Sequence, residues 1–335
     1  MPEIIILAIE SSCDDTSAAI CVDGKVVSNL TANQHVHEQF GGVIPELASR
    51  EHTKNIIPVV AEAIKQAGIS KNQIHAVAFT RGPGLLGSLL VGGIFAKSFA
   101  QAMQVPLIDV HHMQAHVLAH FIDAPMPAFP FLCLTVSGGH TQIVLVNDYL
   151  DMKVIGTTID DAAGEAFDKT AKMLNLPYPG GPLIDKYAQL GNSAAFKFTE
   201  PQIEGFNFSF SGLKTNILYF LQKELKQNPN FIDENLNDIC ASVQHTIVSI
   251  LIKKLLKASK ETTINEIAIA GGVSANLGLR NALTETGKKN NWKTYIPQFQ
   301  YCTDNAGMIS IAAYHKYLRN EFCPIDIPIK ARLEF

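Results

Sequence analysis

A layout that occurs twice along the chain constrains the fold more than any other feature of the sequence. In each copy an apolar segment leads into a short loop of small and polar residues, and a second extended segment follows. The first copy covers residues 4–22 and ends at Asp23-Gly24, a dipeptide that favours a tight hairpin turn. The second copy covers residues 129–136, the loop 137–141 and residues 142–146. The repeat predicts two equivalent α/β halves.

Each half continues with a strand, a glycine-rich loop and a helix. In the first half these are residues 76–79, 80–84 and a helix through Ala100; in the second they are residues 266–270, 271–276 and a helix through Thr286. Residues 156–237 have no counterpart in the first half and carry helical patterns, which predicts a helical insertion. We therefore expect one domain formed by residues 1–127 with a C-terminal helix at 305–325, and a second formed by residues 128–304. Ligands of such folds bind at strand ends and helix N-termini.

The composition is typical of a well-packed globular protein, with 47% hydrophobic and 17% charged residues. The six cysteines form no CxxC pair, which favours reduced thiols in the cytoplasm over a disulfide framework. We expect no membrane association, because no apolar run reaches the length of a membrane span. The net charge of −4 and two lysine clusters, at 253–260 and 288–293, neither support nor exclude a nucleic-acid substrate.

A histidine pair between a predicted strand and helix is either a metal site or a pair of ordinary helix histidines. His112 and His116 are four residues apart, so a helix places both imidazoles on one face, where they can hold one metal ion. A zinc protease of this spacing needs a glutamate directly after the first histidine, and Met113 stands there instead. A third ligand must come from elsewhere. His120, one turn further along, and Asp304, just before the last predicted helix, are the candidates.

Two loops have the composition of anion sites. Residues 137–141 combine serine, glycine and threonine between two strands, and residues 271–276 precede a helix. Backbone N–H groups in such loops can approach a phosphate closely. Neither loop is a Walker A sequence, because no Gly-Lys-Ser/Thr follows. Together they indicate a nucleotide, with Asp168 and Asp185 at nearby helix edges as further candidates.

Long blocks of the chain, in one order, resemble a known family. The blocks are residues 9–16, 41–46, 48–50, 80–84, 111–116, 136–141, 161–170, 210–215, 270–276 and 302–305. They are similar to those of the bacterial tRNA N6-adenosine threonylcarbamoyltransferases, the TsaD family, whose archaeal and eukaryotic relatives are the catalytic subunit of the KEOPS complex. The resemblance implies a duplicated actin, Hsp70 and sugar-kinase-like fold of ribonuclease H-like domains, with the active site in the cleft between them.

The resemblance also implies an activity and a site. The activity is transfer of a threonylcarbamoyl group from threonylcarbamoyl-adenylate to the N6 amine of the tRNA adenosine beside the anticodon (position 37), releasing AMP. The implied metal ligands are His112, His116 and Asp304, binding one divalent ion per subunit, iron(II) or zinc. The implied substrate-binding residues are Thr135, Val136, Ser137, Gly138, Gly139, Asp168, Gly181, Asp185 and Asn276. No general base is assigned. The implied partners are tRNA, a paralogous TsaB-type subunit and a TsaE-type ATPase.

Two other functions share this type of fold. One is an ATP-dependent phosphotransferase of the sugar-kinase kind, and the other is a non-catalytic ATPase-like assembly subunit. Neither requires the pair His112 and His116, so bound metal in stoichiometric amount would distinguish the transferase from both.

Overall fold

A computed structural model describes residues 3–335, and the chain forms two compact units. Unit 1 contains Met1–Met126, Asp148–Met152 and Pro297–Phe335, and unit 2 contains Pro127–Asn147 and Lys153–Ile296. Residues 297–304 were expected in the second half, but they belong to unit 1. The reason is that they lead into the last helix, which packs on the first sheet.

Unit 1 is built on a five-stranded sheet with the order β3-β2-β1-β4-β5. The strands are β1 (Ile5–Glu10), β2 (Thr16–Val22), β3 (Lys25–Ala32), β4 (Ala76–Gly82) and β5 (Leu107–His111). The first three form an antiparallel meander, and β4 and β5 run parallel to β1. Asp23 and Gly24 both have positive φ and form the predicted turn. The carboxyl ends of β1, β4 and β5 therefore meet at one edge of the sheet.

The helices of unit 1 that pack on this sheet are α1 (Pro45–Gln66), α2 (Leu86–Met103), α3 (His112–Leu118) and α9 (Ala306–Leu318). The last of them, α9, follows the helices of unit 2 in the sequence. Apolar side chains of α1 and α2, such as Ile56, Val60 and Ala96, join those of β1 and β4 in one buried cluster. Asn305 is the N-terminal cap of α9, and its Oδ1 accepts the backbone N–H of Met308 at 3.0 Å. α9 packs on β1, β2 and α3, so the residue before its cap is brought close to α3.

Unit 2 repeats the strand arrangement. Its strands are β6 (Phe131–Val136), β7 (Thr141–Asp148), β8 (Asp151–Thr157), β9 (Glu266–Ala270) and β10 (Lys293–Tyr295). The sheet order is β10-β9-β6-β7-β8, with β7 antiparallel and β9 parallel to β6. Read in reverse, as β8-β7-β6-β9-β10, this order corresponds to β3-β2-β1-β4-β5 of unit 1. The predicted duplication is therefore confirmed.

The helices of unit 2 are α4 (Ala163–Met173), α5 (Gly180–Ala188), α6 (Ser211–Gln227), α7 (Phe231–Thr262) and α8 (Leu277–Asn290). The sequence predicted α4, α6 and α8 but not α5 or the 32-residue α7. Leu134, Phe167, Ile247 and Leu251 belong to one buried cluster of sheet and helix residues. Trp292, which is 8% exposed, also lies in this cluster and is the one tryptophan in the sequence.

Two helices bear on the expectation that no apolar run reaches the length of a membrane span. Within residues 3–335, both α2 and α7 are long and apolar enough to cross a membrane by length and composition. The apolar window of α7 is 72% buried, the usual state of a core helix, whereas that of α2 is 33% buried. α2 therefore has an apolar outer face as well as an apolar inner face.

Candidate metal and nucleotide site

The carboxyl ends of three parallel strands place the histidine pair. α3 begins directly after β5, and His111 is its N-terminal cap. Its Nδ1 accepts the backbone N–H groups of Met113 and Gln114, at 3.2 and 3.4 Å. This cap fixes the direction of α3, because it satisfies two N–H groups that have no partner within the helix. His112 and His116 then follow one turn apart on the same face.

Both histidines and Asp304 converge on one point. His112 Nε2 lies 3.4 Å and His116 Nε2 lies 3.2 Å from Asp304 Oδ1. Ligand atoms at about 2.1 Å from a tetrahedral zinc ion would lie about 3.4 Å from one another. Donor atoms of all three residues lie within 4.8 Å of one another, and two nitrogens with one carboxylate oxygen suit a borderline divalent ion. The three side chains therefore fit a metal.

The grouping differs in one respect from the expected site. All three residues lie in unit 1, so this cluster does not draw on both halves of the chain. The reason is that α9, although it follows unit 2 in sequence, packs on β1, β2 and α3. His120 is buried in the short 3₁₀ turn after α3 and does not belong to the cluster.

Three residues surround His112 on its other side, and our sequence analysis missed them. Glu10, at the end of β1, is fully buried, and its Oε2 lies 3.1 Å from His112 Nδ1. Thr80, on β4, donates its hydroxyl to the same oxygen at 2.6 Å. Ser12 Oγ lies 3.2 Å from His112 Nδ1 and donates to Asp304 Oδ2 at 3.5 Å. The signal for Glu10 and Thr80 was available, because parallel strand ends meet at one sheet edge.

Charge in this cluster is strongly coupled when no metal is bound. Burial alone would lower the pKa of His112, but Asp304 and Glu10 raise it to about 9. Burial acts to raise the pKa of Asp304, yet the charges of His112 and His116 hold it well below its ordinary value. Burial raises the pKa of the neighbouring Asp15 to about 7, with Asp304 and Asp14 adding to the effect. A cation is thus favoured beside Asp304.

In unit 2 the predicted substrate residues lie on loops and helix ends that contact one another. Thr135 and Val136 are buried in the last positions of β6. In the turn that follows, Ser137 N–H donates to the His140 carbonyl at 2.8 Å. The Ser137 carbonyl accepts the N–H of Gly164 at the start of α4, at 3.3 Å. The turn is therefore fixed to α4 at one end and to the sheet at the other.

The glycines of these loops have different roles. Cβ atoms added at Gly138, Gly139 or Gly272 would meet nothing within 4 Å. Gly271 differs, because it has φ +85° and ψ 167°, and a Cβ there would lie 2.5 Å from the Val136 carbonyl oxygen. Gly138 and Gly272 therefore accept a Cβ without steric conflict. Gly271 is the constrained residue, whereas the other three face open space.

Asp168 and Gly181 contact each other directly. Asp168 Oδ1 accepts the N–H groups of Gly180 and Gly181, both at 3.0 Å, at the first turn of α5. Burial raises the pKa of this carboxyl, although those two N–H groups act in the opposite direction. These two hydrogen bonds hold Asp168 against the first turn of α5.

Asp185 and Asn276 connect α5 to α8. Asp185 Oδ2 accepts the N–H of Leu277 at 3.0 Å. Its Oδ1 is buried and, among residues 3–335, has no hydrogen-bond partner. Asn276 caps α8 by accepting the N–H of Leu279 at 2.9 Å, and its Nδ2 donates to Gln244 at 2.6 Å. Asp185 is thus the residue of this pair with an unused acceptor.

The two related sheets and the loops at their strand ends define a member of the actin, Hsp70 and sugar-kinase-like proteins. A solved structure with this fold is HypF from T. kodakarensis, with a TM-score of 0.65 and 13% identity, covering 95% of this chain and 48% of that chain. At this identity the likeness shows the fold alone, which confirms the predicted fold class.

Sequence relatives identify the family. The family model described as TsaD, tRNA N6-adenosine threonylcarbamoyltransferase, matches residues 25–311. A protein of that name from Christiangramia forsetii is 60% identical over 336 residues, covering 99% of each chain. One from Riemerella anatipestifer is 59% identical, covering 100% of this chain and 99% of its own length. The chain belongs to the TsaD family of tRNA-modifying transferases, as the sequence blocks predicted.

Proposed function

We propose that this enzyme transfers the threonylcarbamoyl group from threonylcarbamoyl-adenylate to the N6 amine of the tRNA adenosine beside the anticodon, releasing AMP. The observation that carries the proposal is the convergence of His112 Nε2, His116 Nε2 and Asp304 Oδ1 in a chain of this family. A phosphotransferase or a non-catalytic ATPase has no need for this cluster.

His112, His116 and Asp304 would hold one divalent ion per subunit, iron(II) or zinc. When bound, such an ion supplies positive charge that can polarise a carbonyl or neutralise a phosphate leaving group. Asp304 shares one oxygen between the two histidines, and Ser12 orients its second oxygen. The protein contributes a fixed arrangement of donors, which lowers the reorganisation needed when the ion binds.

The loops of unit 2 would hold the adenylate. The backbone N–H groups of Gly138 and Gly139 can donate to phosphate or carbonyl oxygens, and the open space at Gly138, Gly139 and Gly272 leaves room for such a group. The unused Oδ1 of Asp185 can accept a hydroxyl of the ribose or of the threonyl group. The other predicted substrate residues of unit 2 would support this surface from beneath, because most of their polar groups already have partners within the unit. They are Thr135, Val136, Asp168, Gly181 and Asn276.

The reaction forms one bond and breaks one. The N6 amine attacks the carbamoyl carbon, the bond from that carbon to the phosphate oxygen breaks, and AMP leaves with the electron pair. The N6 nitrogen then loses its proton. Once the amine has attacked, its nitrogen carries a positive charge and is acidic enough to lose its proton to water, so a general base need not be part of the site.

An apolar face of unit 1 supports the proposed paralogous TsaB-type partner. Leu86, Leu90 and Ile94 repeat every four residues along α2 and are 50%, 38% and 56% exposed. Ile57 on the adjoining α1 is 66% exposed. A row of this kind usually marks a protein interface, and it accounts for the low burial of the α2 window. A TsaE-type ATPase is proposed from the family alone, and the cytoplasm is the proposed location.

The lysine clusters offer a limited electrostatic footprint for tRNA. Lys253 pairs with Glu200 at 2.6 Å, and Lys293 pairs with Glu266 at 2.7 Å. Lys254 donates to the Ile203 and Gly205 carbonyls. Because part of each cluster is neutralised by the chain itself, we propose that tRNA contacts more than one subunit.

The donor and the reaction type can be tested together. One reaction would contain the purified enzyme, both partners, unmodified tRNA and adenylate labelled in its threonyl group. A parallel reaction would contain γ-labelled ATP in place of the adenylate. We expect one AMP released per label transferred, with no phosphate transferred. His116→Ala should reduce transfer at least about 100-fold, whereas His120→Ala should leave it near wild type. Phosphate transfer, or label in tRNA without AMP, would contradict the proposal.

A further inference from the structure

The polar groups around His112 are arranged asymmetrically. Its Nε2 points to Asp304 in the candidate metal cluster, whereas its Nδ1 lies 3.1 Å from a carboxylate oxygen of Glu10. His116 has no such support, because its buried Nδ1 has no hydrogen-bond partner among residues 3–335. The two histidines, although chemically alike, are thus held by different means.

Glu10 has the properties of a fixed acceptor. It is fully buried, and three groups converge on its carboxylate: the Ser12 N–H, the Thr80 hydroxyl at 2.6 Å and His112 Nδ1. Ser12 and Thr80 act as donors here, and an ionised carboxylate only accepts. The Nδ1 of His112 must therefore carry the hydrogen. A neutral His112 with hydrogen on Nδ1 leaves the lone pair on Nε2, the atom that faces Asp304.

We propose that Glu10 is a positioning residue that fixes the tautomer and ring orientation of His112 and strengthens it as a metal ligand. The inference rests on the proposed metal site. Carboxylates that accept the second ring N–H of a ligating histidine raise its basicity, and their loss typically weakens metal binding about 10–100-fold. Glu10 itself lies outside the ligand cluster of His112, His116 and Asp304.

The same geometry gives Thr80 and Ser12 subordinate roles. Thr80 holds the Glu10 oxygen that faces His112, and the Ser12 N–H holds the other oxygen. A glutamine at position 10 would offer one oxygen and one NH₂ group to three donors. Either His112 or Ser12 would then face a second donor, so Glu10→Gln removes the arrangement while keeping the size of the side chain.

The matched control is Asp15→Asn. Asp15 is another carboxylate of unit 1 whose charge acts on the region of Asp304, but it is hydrogen-bonded to Asn33 at 2.7 Å rather than to a histidine. Because the pKa of Asp15 is raised to about 7, the comparison is made at about pH 8.5, where both carboxylates are ionised and both substitutions remove one negative charge near the cluster. A purely electrostatic role would therefore weaken metal binding in both variants, whereas positioning of His112 would affect Glu10→Gln alone.

The test measures zinc affinity of the full-length apo-protein by competition with a chromophoric chelator, without any transfer reaction. We expect Glu10→Gln to bind zinc about 10–100-fold more weakly and Asp15→Asn to stay within about threefold. Equal effects in the two variants, or wild-type affinity in Glu10→Gln, would overturn the inference. Absence of zinc binding in the wild type would instead contradict the proposed metal site.

A second measurement applies even if Glu10→Gln fails to fold. In the zinc-bound wild type with ¹⁵N-labelled histidine, both signals that change on zinc binding should show hydrogen on Nδ1 and metal on Nε2, because both Nε2 atoms face Asp304. A signal with metal on Nδ1 would refute the role of Glu10.

Discussion

Two adjacent glycines should respond in opposite ways to the same substitution. Gly271, with φ +85° and ψ 167°, lies in a backbone region that only glycine occupies readily. Alanine there costs about 1–3 kcal/mol in backbone conformation. Its Cβ would also lie 2.5 Å from the Val136 carbonyl oxygen, and relieving that overlap adds about 1–3 kcal/mol. Gly271→Ala should therefore lower the free energy of unfolding of unit 2 by about 2–6 kcal/mol.

Gly272→Ala is the matched control. A Cβ at Gly272 meets nothing within 4 Å, so the change should stay within about 1 kcal/mol of wild type, and toward higher stability. Trp292, buried in unit 2 and the one tryptophan of the sequence, reports unfolding of this unit by fluorescence in urea. With a slope of about 2 kcal/mol per molar urea, the midpoint of Gly271→Ala should fall by about 1 M or more. Equal midpoints for the two variants would refute the assignment of Gly271 as the constrained residue.

Three further outcomes are expected. His112→Ala, His116→Ala and Asp304→Ala should each lose most bound metal in elemental analysis while His120→Ala retains it; loss of metal in His120→Ala but not in Asp304→Ala would contradict the assigned third ligand. Gly138→Val and Gly272→Val should fold, as judged by Trp292 fluorescence, yet fail to bind the adenylate in a calorimetric titration, because bulk would enter the open space of the loops; normal affinity in both would show that these loops are only turns. Leu90→Arg should abolish co-purification with the TsaB-type subunit, whereas Leu318→Arg, at an exposed apolar position of α9, should not; unchanged co-purification of the first variant would remove the α2 face from the interface.

A pH dependence follows from the state of the metal-free cluster. Asp304 and Glu10 raise the pKa of His112 to about 9, against the effect of burial. This histidine is therefore positively charged at neutral pH when no metal is bound, with hydrogen on both ring nitrogens. Metal must displace that proton. Zinc binding should therefore release protons at about pH 7.5. The protonation of His112 alone should lower the apparent affinity for zinc about tenfold for each pH unit below about 9. Calorimetry in buffers of different ionisation enthalpy measures the release, and a value of zero would contradict the assignment.

The repeated layout and the histidine spacing were sufficient to predict much of this molecule. Both hairpins, the strands β4 and β9 and the helix after each glycine-rich loop follow from local patterns. α7 was not predicted as a 32-residue helix, because it is buried on much of its surface and shows no clear alternation of polar and apolar faces. The unit boundary at Pro297 also escaped prediction, since it depends on where α9 packs.

Side-chain roles that depend on tertiary contacts could not be predicted. Gly271 and Gly272 are equivalent in the sequence, and the approach of Val136 decides which of them tolerates a side chain. Glu10 follows a run of buried apolar residues, and its importance appears when β1, β4 and α3 come together around His112. The sequence also did not indicate that the Asn276 amide caps α8 and contacts Gln244.

The central claim is that this chain modifies tRNA by acyl transfer through a site that includes the metal cluster. The most direct measurement is mass spectrometry of nucleosides from unmodified tRNA that has been incubated with the metal-loaded enzyme, its two partners and threonylcarbamoyl-adenylate. We predict threonylcarbamoylated adenosine with the wild type and at least about a 100-fold lower yield with Asp304→Asn. Unmodified adenosine after incubation with the folded, metal-loaded wild type, or full yield with metal-free Asp304→Asn, would contradict it.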